Sequence, residues 1–298
     1  MWVACAFGSA FLIGLMEVFR KQALEGNNVL KVLLLNVLFC TLFLTPFLIN
    51  GCFHLHWFTN PIWQIPDGTL TMHILVFLKA SVVLAAWICT YFALKHLPLT
   101  LVAPINAVYP VLTLLGALIL FGERLNLLQW FGIFISVYSL FLLNNSGKKE
   151  GISFAHNKWV WLLGASALFH TASGLYDKYL MHNLHFLFVQ SWYNVYQLIL
   201  MIILVGVLTR TQSRKKFHWS WAIVAASAVL TVSEFLYFYS LRDPEALISI
   251  VSMIRRSSVI VTFACGAILF HEKNVRAKAK DMVCILIGMI LLYIGSTL

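Results

Sequence analysis

Long apolar runs separated by short polar segments dominate the chain. Ten runs can be read, each close to the roughly 20 residues that a helix needs to cross a bilayer core. They are residues 2–19, 31–49, 73–94, 98–121, 126–144, 159–177, 184–208, 219–241, 245–270 and 281–297. Runs such as 111–121 lack the alternating polarity of a membrane β-barrel strand. Because lipid offers the backbone no hydrogen-bond partner, we predict an all-α membrane protein with ten transmembrane helices.

Composition supports a lipid environment. Hydrophobic residues make up 61% of the 298 residues and charged residues only 11%, against about 25% charged in an average soluble domain. The net charge of +10 could indicate nucleic-acid binding, but the basic residues lie mostly in short loops between apolar runs. We therefore predict a lipid bilayer as partner and no nucleic acid.

The basic residues also predict an orientation. The loops after runs 1, 3, 5, 7 and 9 hold fifteen lysines and arginines, whereas those after runs 2, 4, 6 and 8 hold three. Cytoplasmic loops are the ones enriched in Lys and Arg. This predicts a multi-pass protein of the plasma (inner) membrane with both termini outside and an uncleaved first helix.

Two halves of the chain repeat each other. The segment 14–19 is similar to 174–179, and 116–123 is similar to 266–272. Pro98 and Pro244 open the fourth and ninth runs. We predict one five-helix repeat at 1–145, a linker at 146–158 and a second repeat at 159–298. Because five is odd, the copies must be inverted in the membrane, as in many secondary transporters.

These motifs resemble the drug/metabolite transporter superfamily, EamA type, over nearly the whole chain. The residues that carry the resemblance are Tyr109-Pro110, Gly122-Glu123, Gln129 and Gly132, with His271-Glu272 and Gly288 in the second copy. The resemblance implies a ten-helix bundle that exports or exchanges small metabolites.

The chain departs from the family pattern in two respects. The second copy has no proline where Pro110 aligns, and carries 253–258 (MIRRSS) in that region. Members of the superfamily commonly have cytoplasmic termini, whereas the loop charges here place the termini outside. We follow the loop charges for the orientation.

Ionisable residues inside the runs are the strongest indication of a site, because a charge at the bilayer centre costs at least about 2.5–3.5 kcal/mol. Arg255 and Arg256 lie near mid-depth of the ninth run. Neighbouring helix positions point about 100° apart, so one arginine can face a cavity and the other a buried acid. Either an arginine binds an anionic substrate group, or both serve structural salt bridges with Glu234 or Asp177.

The acids and Lys79 leave two interpretations open. Glu234 can exchange protons and couple transport to them, or it can pair with an arginine. Asp177 and Glu17 lie near helix ends and are further candidates for coupling or ion pairing. Lys79 either faces the cavity, or extends to an interface or an acid.

Neutral candidates lie around the fourth run. Asn106 lies between Pro104 and Pro110, and a proline kink frees backbone carbonyls towards a cavity. Asn106 and Tyr109 would then bind substrate, with Trp87 and Tyr237 as aromatic lining; the alternative is a packing kink. Glu123 and Glu272 are either gating residues or helix-end caps, and we favour caps.

No cofactor or metal is predicted. His54 and His56, and His182 and His185, form short His pairs without the three or four converging ligands that a metal needs. The six cysteines form no CxxC pair. The sequence contains no phosphate-binding loop of the GxxxxGK[ST] type.

The favoured function is a secondary transporter, an exporter or exchanger of a small polar metabolite such as an amino acid or organic acid, working by alternating access. Arg255 or Arg256 would bind its carboxylate or phosphate, and protons are a candidate coupling ion. The alternatives are an intramembrane enzyme, for which no nucleophile cluster is visible, and a non-transporting scaffold or sensor. We expect no enzymatic activity.

Overall fold

The computed structural model describes residues 2–55, 57–58, 63–109, 111–112, 126–148, 152, 154–208, 217–241, 251, 254–272 and 274–297. Within these residues the structure contains ten helices and no β-strand. They are α1 (Trp2–Leu24), α2 (Val29–Cys52), α3 (Leu70–His96), α4 (Leu99–Asn106), α5 (Leu127–Lys148), α6 (Lys158–Asn183), α7 (Phe186–Leu208), α8 (Trp221–Leu241), α9 (Ser258–Leu269) and α10 (Val275–Thr297). The all-helical prediction is confirmed for the described residues.

Several helices begin where the sequence supplies a capping side chain. The side-chain oxygens of Asn28 and Asn157 accept hydrogen bonds from backbone N–H groups two residues later, both at 2.9 Å. Asn126 and Gln129 cap each other reciprocally before α5, again at 2.9 Å. Such caps satisfy N–H groups that the helix itself leaves unpaired, so each helix can start directly after a short loop.

Six of the described helices are long and apolar enough to cross a membrane: α1, α2, α3, α5, α7 and α8. The described parts of α4 and α9 have 8 and 12 residues, and α10 begins with several charged residues. Large apolar side chains such as Phe134, Trp161 and Ile203 are well exposed on the bundle. A soluble protein does not usually present so much apolar surface to water.

Packing between the halves follows a reciprocal pattern. Helices α1, α2 and α3 of the first half correspond to α6, α7 and α8 of the second. Helix α1 packs on α8, and its counterpart α6 packs on α3. Likewise α2 packs on α8, and its counterpart α7 packs on α3. Three further pairs, α2–α7, α4–α9 and α5–α10, each join helices at equivalent positions of the two halves. Contacts of Ser9 with Ser233 and of Asn27 with His218 show that α1 and α8 run antiparallel.

Hydrogen bonds join the loops at one end of the bundle. The ammonium of Lys21 donates to the backbone oxygens of Leu94 and Leu97 at 2.6 and 2.7 Å, and Lys95 donates to the oxygen of Asn27 at 2.5 Å. Asn27 in turn donates to the oxygen of His218 at 2.8 Å. The loops after α1, α3 and α7 therefore meet, as expected for loops predicted to share one side of the membrane.

Two basic residues that the sequence assigned to loops lie inside the bundle. Arg20 belongs to α1, which continues to Leu24, and is only 3% exposed. Lys278 belongs to α10 and is fully buried, where it donates to the hydroxyl of Thr100 at 3.0 Å. The loop assignment was wrong for both, because each side chain finds buried acceptors. The excess of basic residues on the predicted cytoplasmic side remains large without them.

Candidate functional site

Seven charged side chains from both halves meet inside the bundle. We call them the interior cluster: Glu17, Arg20, Lys79, Asp177, Glu234, Arg255 and Arg256. Helices α1, α3, α6 and α8 and the helical segment 254–256 before α9 supply them. The sequence singled out every member except Arg20.

Lys79 and Asp177 form an ion pair between α3 and α6. The ammonium of Lys79 also lies 5.3 Å from the ring centres of Tyr193 and Phe238, where a cation is attracted by the aromatic faces. Both charged side chains are largely buried. Of the alternatives for Lys79, the structure therefore places it against an acid.

Glu234 of α8 forms an ion pair with Arg255. The guanidinium of Arg255 also lies 3.9 Å from the ring centre of Tyr237, one turn along the same helix as Glu234. This aromatic contact and the carboxylate hold Arg255 from two directions. One of the two adjacent arginines thus faces a partly buried acid, as their spacing predicted.

Glu17 and Arg20 form a third pair, with a distance of 2.8 Å between carboxylate oxygen and guanidinium nitrogen. Arg20 lies over the rings of Tyr91 and Trp87, at 4.5 and 5.5 Å from their centres. Trp87 therefore contacts a buried cation. The sequence carried a signal for this pair, because residues three apart lie on one face of a helix.

Arg256 differs from the other cations of the cluster. Its guanidinium lies 4.7 Å from the ring centre of Tyr109, but none of the ion pairs among the described residues includes it. Three acids face four cations in the cluster, so one positive charge remains unbalanced there. This unbalanced charge is the main electrostatic feature of the site.

Neutral groups surround Arg256. The hydroxyl of Tyr109 donates to the side-chain oxygen of Asn106 at 2.7 Å, which fixes both residues beside the arginine. The imidazole of His170 stacks near the Tyr109 ring, with 5.7 Å between centres. The structure thus brings Asn106, Tyr109 and His170 together around Arg256. Pro110 lies outside the described residues.

A small cavity borders the cluster between α2, α3, α7 and α8. Its volume is about 10 Å³. The cavity is lined by Cys40, Trp87, Gln190, Tyr193, Asn194, Leu230, Thr231 and Glu234. Gln190 was not predicted as a site residue, because an isolated glutamine in an apolar run carries no motif.

A larger pocket lies at the end of the bundle opposite the loops after α1, α3 and α7. It is formed by the loops after α2 and α6. It has a volume of about 320 Å³ and is lined by His54, residues 64–67 and His185. His54 and Asp67 are well exposed and lie 3.9 Å apart. No group of three or more metal-binding side chains occurs in the described parts of the chain; His56 lies outside those parts.

Glu272 links the two halves at the opposite end from that pocket. Its carboxylate accepts hydrogen bonds from the backbone N–H groups of Leu99 and Thr100, at 2.6 and 2.8 Å, and one from the Thr100 hydroxyl. Leu99 and Thr100 are the first residues of α4, so Glu272 caps the N-terminus of a helix of the other half. A negative charge at a helix N-terminus also interacts favourably with the helix dipole. Glu123, its sequence counterpart, lies outside the described residues.

Comparison with known families decides the assignment of this bundle. The model of the EamA-like transporter family matches residues 1–145 and again 157–294, so the match covers nearly the whole chain in two copies.

The chain belongs to the EamA-like transporter family.

The resemblance found in the sequence is therefore confirmed. As an EamA-like protein the chain is a multi-pass membrane transporter of the drug/metabolite superfamily with a two-repeat architecture. Members of this family are transporters, which fits the expectation that the chain is not an enzyme. Comparison with curated proteins gave no significant match.

Proposed function

We propose that the protein is a secondary transporter that exports or exchanges a small anionic metabolite, such as an amino acid or organic acid, with Arg256 as the substrate anchor. The observation that carries the proposal is the unbalanced positive charge of Arg256 in the described part of the interior cluster. A charge inside a membrane protein that serves no structural pair is expected to serve a ligand.

The chemistry around Arg256 suits a carboxylate or phosphate. A guanidinium offers a planar fork of donors that matches the oxygens of such groups. Tyr109 and Asn106 add neutral hydrogen-bonding groups beside it, and the already paired Arg255 lies next to it in sequence. An anion bound here would balance the cluster without breaking the Lys79–Asp177 or Glu17–Arg20 pair.

Alternating access between two inverted repeats is the proposed mechanism. Ten membrane-spanning helices, divided at 1–145 and 159–298 and placed in the plasma membrane, give each repeat five spans. The reciprocal packing of the helices and the antiparallel course of α1 and α8 support this inversion. The Glu272 cap and the Lys21 contacts would close the cytoplasmic end, and the pocket near His54 would lie on the outside.

Metabolite efflux from proteoliposomes tests this function. Vesicles carrying the protein are loaded with a metabolite extract, and the compounds that leave are identified by mass spectrometry against protein-free vesicles. We expect selective efflux of compounds that carry a carboxylate or phosphate. An identical efflux profile with and without protein would contradict transport, and conversion of compounds by the protein in detergent would favour an enzyme.

A further inference from the structure

We propose that Glu234 is a proton-binding site whose neutral form is held by Gln190, so that proton uptake at Glu234 is linked to release of Arg255. When Glu234 is protonated and neutral, its carboxyl group donates a hydrogen bond to the side-chain oxygen of Gln190. The link to substrate rests on the proposed transport function, whereas the proton site itself does not.

Gln190 provides the first observation. It is 2% exposed, and its amide nitrogen donates to the backbone oxygen of Thr231 at 3.3 Å. Its side-chain oxygen is buried and accepts no hydrogen bond from the residues that the structure describes. A buried acceptor without a donor costs free energy, and such groups are rare enough in proteins to need an explanation.

The cavity next to Gln190 provides the second observation. Glu234 and Gln190 line the same space of about 10 Å³, which is close to the lower limit for a single water molecule. An ionised carboxylate can only accept hydrogen bonds, whereas a protonated carboxyl group can also donate one. Only the protonated form of Glu234 can therefore satisfy the oxygen of Gln190 directly.

Three other polar groups of the cavity wall are already engaged as donors. The hydroxyl of Thr231 and the thiol of Cys40 both donate to the backbone oxygen of Ser227, at 2.9 and 3.6 Å. The amide of Asn194 donates to the backbone oxygen of Gln190 at 2.8 Å. The side-chain oxygen of Gln190 thus remains an acceptor without a donor in the described part of the chain, and Glu234 lines the same cavity.

Charge balance links this proton to the substrate. Glu234 forms an ion pair with Arg255. The other titratable or charged groups around it are Cys40 of α2, Tyr193 of α7, Tyr237 of α8 and the Lys79–Asp177 and Glu17–Arg20 pairs. These two pairs are internally neutral, so Arg255 is the cation that matters for Glu234.

An anion that binds Arg256 and draws Arg255 towards itself would leave Glu234 as a buried, uncompensated carboxylate, which is costly. The carboxylate then takes a proton from the water on the side where the anion enters and becomes a neutral acid hydrogen-bonded to Gln190. When the anion leaves, Arg255 returns and the proton is released. Anion and proton would therefore travel in the same direction.

Infrared spectroscopy of the purified protein tests the proton site without any substrate. Arg255→Gln removes the cation, so we expect a protonated-carboxyl carbonyl band near neutral pH that is weak or lacking in the wild type. The band should disappear in the double variant Arg255→Gln/Glu234→Gln. A variant whose Glu234 stays ionised near neutral pH would overturn the proposal.

The role of Gln190 is tested in the same Arg255→Gln background. Gln190→Leu should lower the pH midpoint of the Glu234 band by about one unit, the effect of losing one hydrogen bond to the neutral acid. Gln197→Leu is the matched control, because Gln197 is a buried glutamine two turns further along α7. Equal midpoints in Gln190→Leu and the control would assign the acceptor role to another group, such as a water molecule, and overturn the role of Gln190.

A second measurement covers the case in which Arg255→Gln does not fold. Acid titration of the Glu234 band, identified by its loss in Glu234→Gln, is then compared between wild type, Gln190→Leu and Gln197→Leu. Only Gln190→Leu should shift the band to lower pH; no shift would contradict the proposal. Since none of these measurements requires transport, their failure is distinguishable from failure of the efflux assay.

Discussion

Two helix pairs at the interface of the halves, α5–α10 and α4–α9, differ in the side chains at their contacts. In the α5–α10 pair the contact is reciprocal, because a Cβ on Gly132 would lie 2.8 Å from the backbone oxygen of Gly288, and one on Gly288 would lie 2.9 Å from that of Gly132. At the α4–α9 pair the chemistry differs between the halves. The first half supplies Asn106 and Tyr109, and the second supplies Arg255 and Arg256.

This difference indicates how a repeated chain acquires a site. Where each of two helices carries a glycine at the contact, the helices can approach closely and form a scaffold. Where the copies have diverged, a cation from one half lies over an aromatic ring of the other, as Arg256 does over Tyr109 at 4.7 Å. The departure from the family pattern at 253–258 is therefore the part of the sequence that points to the site.

The largest expected effect separates paired charges from the unpaired one. Lys79→Met leaves Asp177 as a buried charge without its cation, which should destabilise the protein by about 3 kcal/mol or more. Arg256→Gln removes a cation that has no acid partner among the described residues, and should cost far less stability. Unfolding of the two variants in detergent measures this difference.

The double variant Lys79→Met/Asp177→Asn is the control for that comparison. It removes both charges and should recover much of the lost stability. If Lys79→Met and Arg256→Gln were equally stable, the distinction between structural pairs and an unpaired anchor would be wrong.

The next effect concerns the scaffold. In Gly288→Ala the new methyl group would lie 2.2 Å from the hydroxyl oxygen of Ser136 and 2.9 Å from the backbone oxygen of Gly132. Overpacking of this kind costs about 1–3 kcal/mol. Gly206→Ala is the matched control on α7, because no described atom lies within 4 Å of a Cβ built there. Thermal unfolding should show a loss for Gly288→Ala only; equal behaviour would argue against a close α5–α10 contact.

A smaller effect is expected at the contact between Glu272 and α4. Glu272→Gln removes the negative charge and one acceptor from the start of that helix, which should cost about 1 kcal/mol. The exposed Glu25 provides the control variant Glu25→Gln. Unfolding measures the cost, and labelling of a cysteine introduced at the buried Leu101 of α4 reports whether this end opens more often. An unchanged labelling rate would separate Glu272 from closure of the cytoplasmic end.

Much of the fold could be predicted from the sequence because lipid imposes simple rules. Long apolar runs must be helical, and the described helices lie within or close to the predicted runs. The clearest shifts are in α6, which continues beyond the predicted residue 177 to Asn183, and in α10, which begins at Val275 and not at the predicted residue 281. The ion pair of Glu17 and Arg20 could also have been predicted, because the two residues are three apart on one helix.

Contacts between the halves could not be predicted in the same way. Glu272 caps a helix that begins 173 residues earlier in the chain. Buried Lys278 donates a hydrogen bond to a hydroxyl of that same helix. No local pattern marks such partners, because they depend on how helices pack. The hydrogen bonds donated by Thr231, Cys40 and Asn194 around Gln190 could not be predicted from the sequence for the same reason.

Efflux from proteoliposomes that carry Arg256→Gln tests the central claim most directly. We expect efflux of the transported anion to fall roughly tenfold or more relative to wild type, the effect of losing a charge-assisted hydrogen bond. Arg276→Gln, which removes an exposed arginine from α10, should transport as the wild type does. Efflux through Arg256→Gln at the wild-type rate, with the same selection of anions, would contradict the account.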